Sequence, residues 1–162
     1  GRPCYHAVDD RLACSSALWT DRRYGEDVLA SMEAALRRVI EDQPRAAIGW
    51  IGYSGGGTLA ALLAPRFAES RFLVTIAANL DAEGWAASQG IELSPDTANP
   101  AKGPPLPASI RQRHFAGSAD TVVPPTVTAR GAAGLGEPLV VIDGYDHVCC
   151  WLEAWPALLR EK

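Results

Sequence analysis

The sequence predicts an α/β fold, a mainly parallel sheet flanked by helices. Three observations carry that reading. Short, continuously apolar runs recur along the chain, as expected of strands buried on both faces. Helical segments alternate with them, the order that strand–helix–strand units produce. The 15 glycines and 12 prolines among the 162 residues cluster between these segments and mark their ends.

Each element follows from its residues. Over residues 27–42 apolar side chains recur at Leu29, Met32, Leu36 and Val39/Ile40, the spacing of one helical face. Arg37 and Arg38 lie near its end, where cations suit the helix dipole, and Pro44 stops it. Residues 46–52 (AAIGWIG) read as a buried strand running into Ser54-Gly55-Gly56-Gly57. A second helix is expected over 59–67 and a second strand over 72–76. Residues 80–109, with Pro95, Pro100, Pro104, Pro105 and Pro107, predict a long irregular excursion, which in a compact domain is functional or mobile. A third, less apolar strand is expected over 111–116, a short helix over 125–133 and a fourth strand over 139–142. The last helix, around 151–160, carries Pro156 and starts or kinks there. No internal repeat and no second domain are visible.

Composition narrows the function. A length of 162 residues buries a core without metal or disulfide support. With 48% hydrophobic and 21% charged residues the chain is globular, and its net charge of −4 argues against nucleic acid or an anionic membrane as partner. No apolar run reaches the roughly 18 residues of a membrane span, and no signal peptide opens the chain. Four cysteines (Cys4, Cys14, Cys149, Cys150) allow two disulfides or four buried thiols, and the residues leave both open. Cys4–Cys14 would staple a short loop, whereas adjacent Cys149 and Cys150 are not expected to pair. Bridges would imply export, thiols a cytosolic protein.

The chemistry starts at Gly52-Tyr53-Ser54-Gly55-Gly56, which fits G-x-S-x-G between a strand and a helix. A serine on such a sharp turn occupies strained dihedrals, and glycines let strand and helix approach. The turn also sets Ser54 at a helix N-terminus, where the Gly55 N–H can meet a developing oxyanion. No G-K-[ST] follows, so this is not a phosphate loop, and the dinucleotide fingerprint is not met. As a plain turn, the same residues would carry no chemistry.

A serine nucleophile needs a base. Of His6, His114 and His147, only His147 follows a strand at the sheet edge where parallel α/β proteins bind ligands. His114 falls inside the third strand and reads as a hydrogen-bonded structural residue. Asp120, just past the third strand, is the candidate to orient His147. Asp143 and Asp146 compete, but Asp146 is adjacent to His147 and better placed to cap a turn. The order Ser54…Asp120…His147 is that of the α/β hydrolases. Tyr53, within the motif, and Asn79, where the excursion leaves the second strand, are the candidate substrate contacts.

On GYSGGG, GSADTVVP and GYDHVCCW the sequence resembles the α/β-hydrolase superfamily from about Asp27 onward. CYH near the start and HVCCW near the end are similar to uncharacterised bacterial hydrolases, often with an export or lipoprotein leader. The resemblance implies a Ser-His-Asp hydrolase acting on an ester, thioester or amide of a small molecule, with no cofactor. It also favours an exported or periplasmic location over a cytoplasmic one. A complete member carries further strands and an HGGG-type oxyanion loop ahead of its nucleophile. Residues 1–45 contain nothing like that loop, so 1–162 is expected to be a single, N-terminally truncated domain, the C-terminal portion of the fold, with 80–109 as a cap-like excursion. Loss of one oxyanion donor costs about 10²–10³ in turnover, and missing strands leave a sheet edge open to self-association.

Three alternatives differ in class. A catalytically weak or inactive hydrolase-like binding or structural module would share the fold. A zinc site from Cys4, His6, His147, Cys149 and Cys150 lacks the usual ligand spacing, so no metal is expected. A cysteine hydrolase using Cys149 or Cys150 would leave the Ser54 turn unexplained. Trp19, Trp50, Trp85, Trp151 and Trp155 read as core packing.

Overall fold

The computed structural model describes residues 14–43, 47–158 and 160. Four strands, β1 (Ile48–Tyr53), β2 (Ser70–Ile76), β3 (Arg111–Gly117) and β4 (Leu139–Ile142), lie side by side in chain order, each parallel to the next. Parallel neighbours need crossovers, and helices supply them. These are α2 (Gly55–Leu63), α3 (Ala82–Ser88) and α4 (Pro125–Leu135), with α1 (Glu26–Ile40) before the sheet and α5 (Trp151–Leu158) after it. Because the strands run one way, their C-terminal ends share one edge. Ser54, Asp120 and His147 all follow strands there.

Strand alternation divides the core. Leu73 of β2 packs with Ala60, Ala61, Leu80, Ala132 and Leu135 on the α2/α4 side. Val74 and Ile76 point the other way and join Phe115, Trp151 and Leu158 beneath α5. Outside α2, the buried Val28 and Leu29 of α1 meet Leu59, Leu63 and Tyr24. Arg66 ties α1 down through Glu26 at 2.7 Å and Glu33 at 3.2 Å. The predicted apolar face of α1 is only half used, since Val39 is largely exposed. Pro44 lies outside the described residues.

The structure corrects three expectations. The second helix begins at Gly55, not Leu59, because the elbow glycines are themselves helical, and a 3₁₀ turn at Ala64–Arg66 with Pro65 in it ends the run. The excursion is not wholly irregular. Asp81 caps α3 by accepting the Gly84 N–H at 3.0 Å, and its carboxylate also receives Asn99 Nδ2 at 3.1 Å and Arg130 Nε at 2.8 Å. That carboxyl is partly buried, which opposes ionisation, but the Gly84, Asn99 and Arg130 donors outweigh this and hold its pKa below the usual carboxylate range. Third, Cys149 and Cys150 do pair with each other. The peptide between them is cis, and their Cα atoms are 3.2 Å apart. Cys14 is disulfide-bonded as well. No helix among the described residues is long and apolar enough to cross a membrane.

Candidate active site

The site is built on the turn between β1 and α2. Ser54 has φ 51° and ψ −130°, outside the regions that L-residues favour. The fold holds it there by close approach of backbone. A Cβ on Gly52 would stand 2.5 Å from Gly56 O and from Gly57 Cα, and one on Gly57 would stand 2.5 Å from Ala78 Cβ. The second glycine of G-x-S-x-G, Gly56, faces open space instead. After Ser54, the glycine that packing demands is therefore Gly57, one residue beyond the motif.

Ser54 Oγ lies 3.1 Å from His147 Nε2, and His147 Nδ1 lies 2.8 Å from Asp120 Oδ2. Asp120 is buried, and its other oxygen accepts the N–H groups of Val122 at 2.9 Å and Val123 at 2.8 Å. These two bonds fix the carboxylate and leave Oδ2 for the imidazole. The Gly55 N–H starts α2 and donates to no carbonyl of the described backbone, so it is available at the turn beside Ser54.

His147 sits in a braced loop. Tyr53 Oη donates to its carbonyl at 2.7 Å, and the two rings stand 5.2 Å apart. Trp151 Nε1 donates to the carbonyls of Asp146 and His147, both at 3.2 Å. Asp146 caps the turn, accepting the N–H groups of Cys149 at 2.7 Å and Val148 at 2.8 Å. Those bonds, the Cys149 one foremost, hold its pKa below the ordinary carboxylate value. The third aspartate considered, Asp143, accepts the Ser118 hydroxyl at 3.0 Å and does not reach the imidazole.

Tyr53 is thus on the site, 45% exposed, with its hydroxyl spent on the His147 loop. Burial, helped by the charges of Asp120 and Asp146, raises its phenol pKa. Asn79 is elsewhere than expected. It is 2% exposed and lies under the turn, its Oδ1 accepting from Thr58 at 2.6 Å and its Nδ2 donating to Tyr24 Oη at 2.8 Å. A side chain closed off in this way cannot contact substrate; a spacing-based reading sees that Asn79 follows a strand but not that Tyr24 and Thr58 converge on it. Of the residues considered for zinc, Cys4 and His6 lie outside the described residues, while Cys149 and Cys150 are bonded to each other. Among the described residues no three metal-ligating side chains gather. Tyr24, Thr58 and the Trp151 N–H were not legible as site supports, since nothing local in sequence marks them.

No protein-family model and no curated protein matches the sequence. Solved structures do. An α/β hydrolase enzyme from the metagenome of lagoon sediments at Mar Chica, Morocco, superimposes with a TM-score of 0.60 at 21% identity, over 81% of this chain and 67% of that one. An α/β serine hydrolase homologue from Coxiella burnetii gives 0.55 at 22% identity, over 82% and 57%. A puromycin-hydrolysing peptidase of Mycobacterium tuberculosis gives 0.57 at 15% identity, over 74% and 22%. The chain thus has the α/β-hydrolase fold, and it spans from about a fifth to two thirds of the length of these three proteins.

Proposed function

We propose that this chain is a serine hydrolase, esterase-like in mechanism, that cleaves an ester, thioester or amide of a small molecule through an acyl-enzyme. The observation that carries the proposal is the unbroken hydrogen-bonded series Ser54–His147–Asp120, with distances of 3.1 and 2.8 Å, on a strained strand-to-helix turn. His147 Nε2 takes the Ser54 proton as Oγ attacks the carbonyl carbon, and Asp120 holds the tautomer that leaves Nε2 free to accept. The Gly55 N–H and the N-terminal end of α2 meet the charge that develops on the carbonyl oxygen. His147 then gives its proton to the leaving alcohol, thiol or amine. Water, deprotonated by the same imidazole, attacks the acyl-Ser54 ester and frees the acid.

Tyr53 sets the position of His147 and leaves its ring edge to line the opening. The excursion of residues 80–109, which begins beside the same sheet edge, serves as a cap over the substrate. The test is covalent. A serine-directed fluorophosphonate is expected to add one label at Ser54, mapped by peptide mass, and Ser54→Ala is expected to take none. A wild-type chain that stays unlabelled while a control hydrolase reacts would leave a hydrolase-like binding module as the reading.

A further inference from the structure

Against Trp85, whose indole is bonded to the turn that holds Asp120, stands a cation with no carboxylate partner among the described residues. Arg23 is half-buried in the turn before α1. Its Nε donates to the Thr20 carbonyl at 2.5 Å, and its guanidinium carbon stands 4.9 Å from the centre of the Trp85 ring. The neighbouring Arg22 pairs with Asp27 and Asp96. Arg37, Arg38, Arg66 and Arg130 each have a carboxylate too. Arg71, Arg111, Arg113 and Arg160 have none among the described residues, but none of these four is stacked on a ring linked to the Asp120 turn. The two terminal nitrogens of Arg23 have no partner among the described residues.

Two connections place this pair beside the site. Trp85 Nε1 donates to the Val122 carbonyl at 2.9 Å, in the turn whose N–H groups hold Asp120. Tyr24, the next residue after Arg23, reaches the nucleophile turn itself: its hydroxyl lies 3.0 Å from where a Cβ on Gly55 would stand. Trp85 is therefore bonded to the acid loop and Arg23 stacks on it, while the residue after Arg23 reaches beneath Gly55. Val122 is 47% exposed, so this flank opens to solvent.

We propose that Arg23, stacked on Trp85, is an anion-accepting subsite beside Ser54, and that the substrate is an ester, thioester or amide bearing a carboxylate. The second half rests on the hydrolase reading of Ser54. A guanidinium held flat against an indole presents its free N–H edge in a fixed plane, the geometry that a planar carboxylate meets with two parallel hydrogen bonds. Half-burial reduces screening of the pair. A single cation balances one negative charge, which favours a carboxylate over a doubly charged phosphate. The Nε bond to Thr20 occupies one donor and leaves the terminal nitrogens for the ligand.

The experiment compares two matched ester pairs on the wild-type chain, Arg23→Gln and Arg23→Lys. Mono-para-nitrophenyl adipate against para-nitrophenyl hexanoate places the carboxylate in the acyl part; para-carboxyphenyl butyrate against phenyl butyrate places it in the leaving group. For at least one pair, the charged-to-neutral ratio of kcat/KM is expected to fall about tenfold or more in Arg23→Gln, as loss of a charge-assisted pair predicts, and to recover in part in Arg23→Lys. A ratio that stays constant in both pairs, or an equal loss on charged and neutral esters, means that Arg23 only braces Trp85 and overturns the subsite. Binding is read separately by titrating monomethyl adipate and following tryptophan fluorescence, which needs no turnover. Weaker binding in Arg23→Gln by a similar factor supports the subsite, and unchanged binding overturns it. If wild type hydrolyses none of the four esters, the Ser54 reading fails while the titration still decides the subsite.

Discussion

At the residue scale, one carboxylate does two jobs with its two oxygens. Asp120 Oδ1 is saturated by the Val122 and Val123 N–H groups, so Oδ2 alone faces His147. Asp120→Asn keeps the backbone bonds through its amide oxygen and turns its NH₂ toward Nδ1. The imidazole must then carry its proton on Nε2, where it cannot accept from Ser54. Turnover is expected to fall by about 10³–10⁴ with the fold intact, checked by initial rates on an activated ester beside circular dichroism. The network under the turn behaves differently. Thr58→Val removes the hydroxyl that donates to Asn79 Oδ1 at 2.6 Å inside a fully buried cluster. That substitution leaves a buried acceptor short of one partner and is expected to cost about 1–3 kcal/mol of stability, read from a urea midpoint.

At the element scale, the β1–α2 turn sets what the sequence can show and what it cannot. Gly57→Ala drives a methyl to 2.5 Å from Ala78 Cβ and 3.0 Å from Gly52 O, so strand and helix must part. A loss of roughly 1–3 kcal/mol is expected, whereas Gly56→Ala, with nothing within 4 Å, should stay within about 1 kcal/mol of wild type. Paired thermal melts decide between them. From the motif alone the two glycines look alike, and Gly56 even looks the more important. Ser54, Asp120 and His147 are legible as a set because each follows a strand and has its own local motif, and a parallel sheet puts such positions on one edge. Strands β1, β2 and β4 are legible from their apolar runs, while β3 (RQRHFAG) is the less apolar one. Helix α3 is not legible, because seven residues give too little periodicity and its Asp81 cap is secured by Asn99 and Arg130, which are far away in sequence. The burial of Asn79 escapes the sequence on the same ground, since it is set by partners that local pattern does not name.

At the scale of the whole molecule, the buried inner part of the parallel sheet has few places for a polar group, and His114 occupies one. It is fully buried in β3, with Nδ1 2.8 Å from Thr75 Oγ1 and Nε2 3.2 Å from Gln112 Oε1. The carboxamide oxygen can only accept, so Nε2 carries the proton and Nδ1 accepts from the threonine hydroxyl, which is the neutral ring fully satisfied. Burial pushes its pKa down to about 4 from 6.5. The unfolded chain therefore binds a proton below pH 6.5 that the folded chain refuses until about pH 4. Stability from this group is complete above pH 6.5, drains as pH falls toward about 4, and changes no further below that. The slope is at most about 1.4 kcal/mol per pH unit, so between about pH 7.5 and 5 the expected loss is roughly 2 kcal/mol. His114→Gln, which keeps a hydrogen-bonding side chain without a titrating ring, is expected to start less stable at neutral pH and to lose less on acidification. Urea midpoints of both chains at the two pH values test this, and parallel losses in the two would mean that other groups set the acid sensitivity of the sheet.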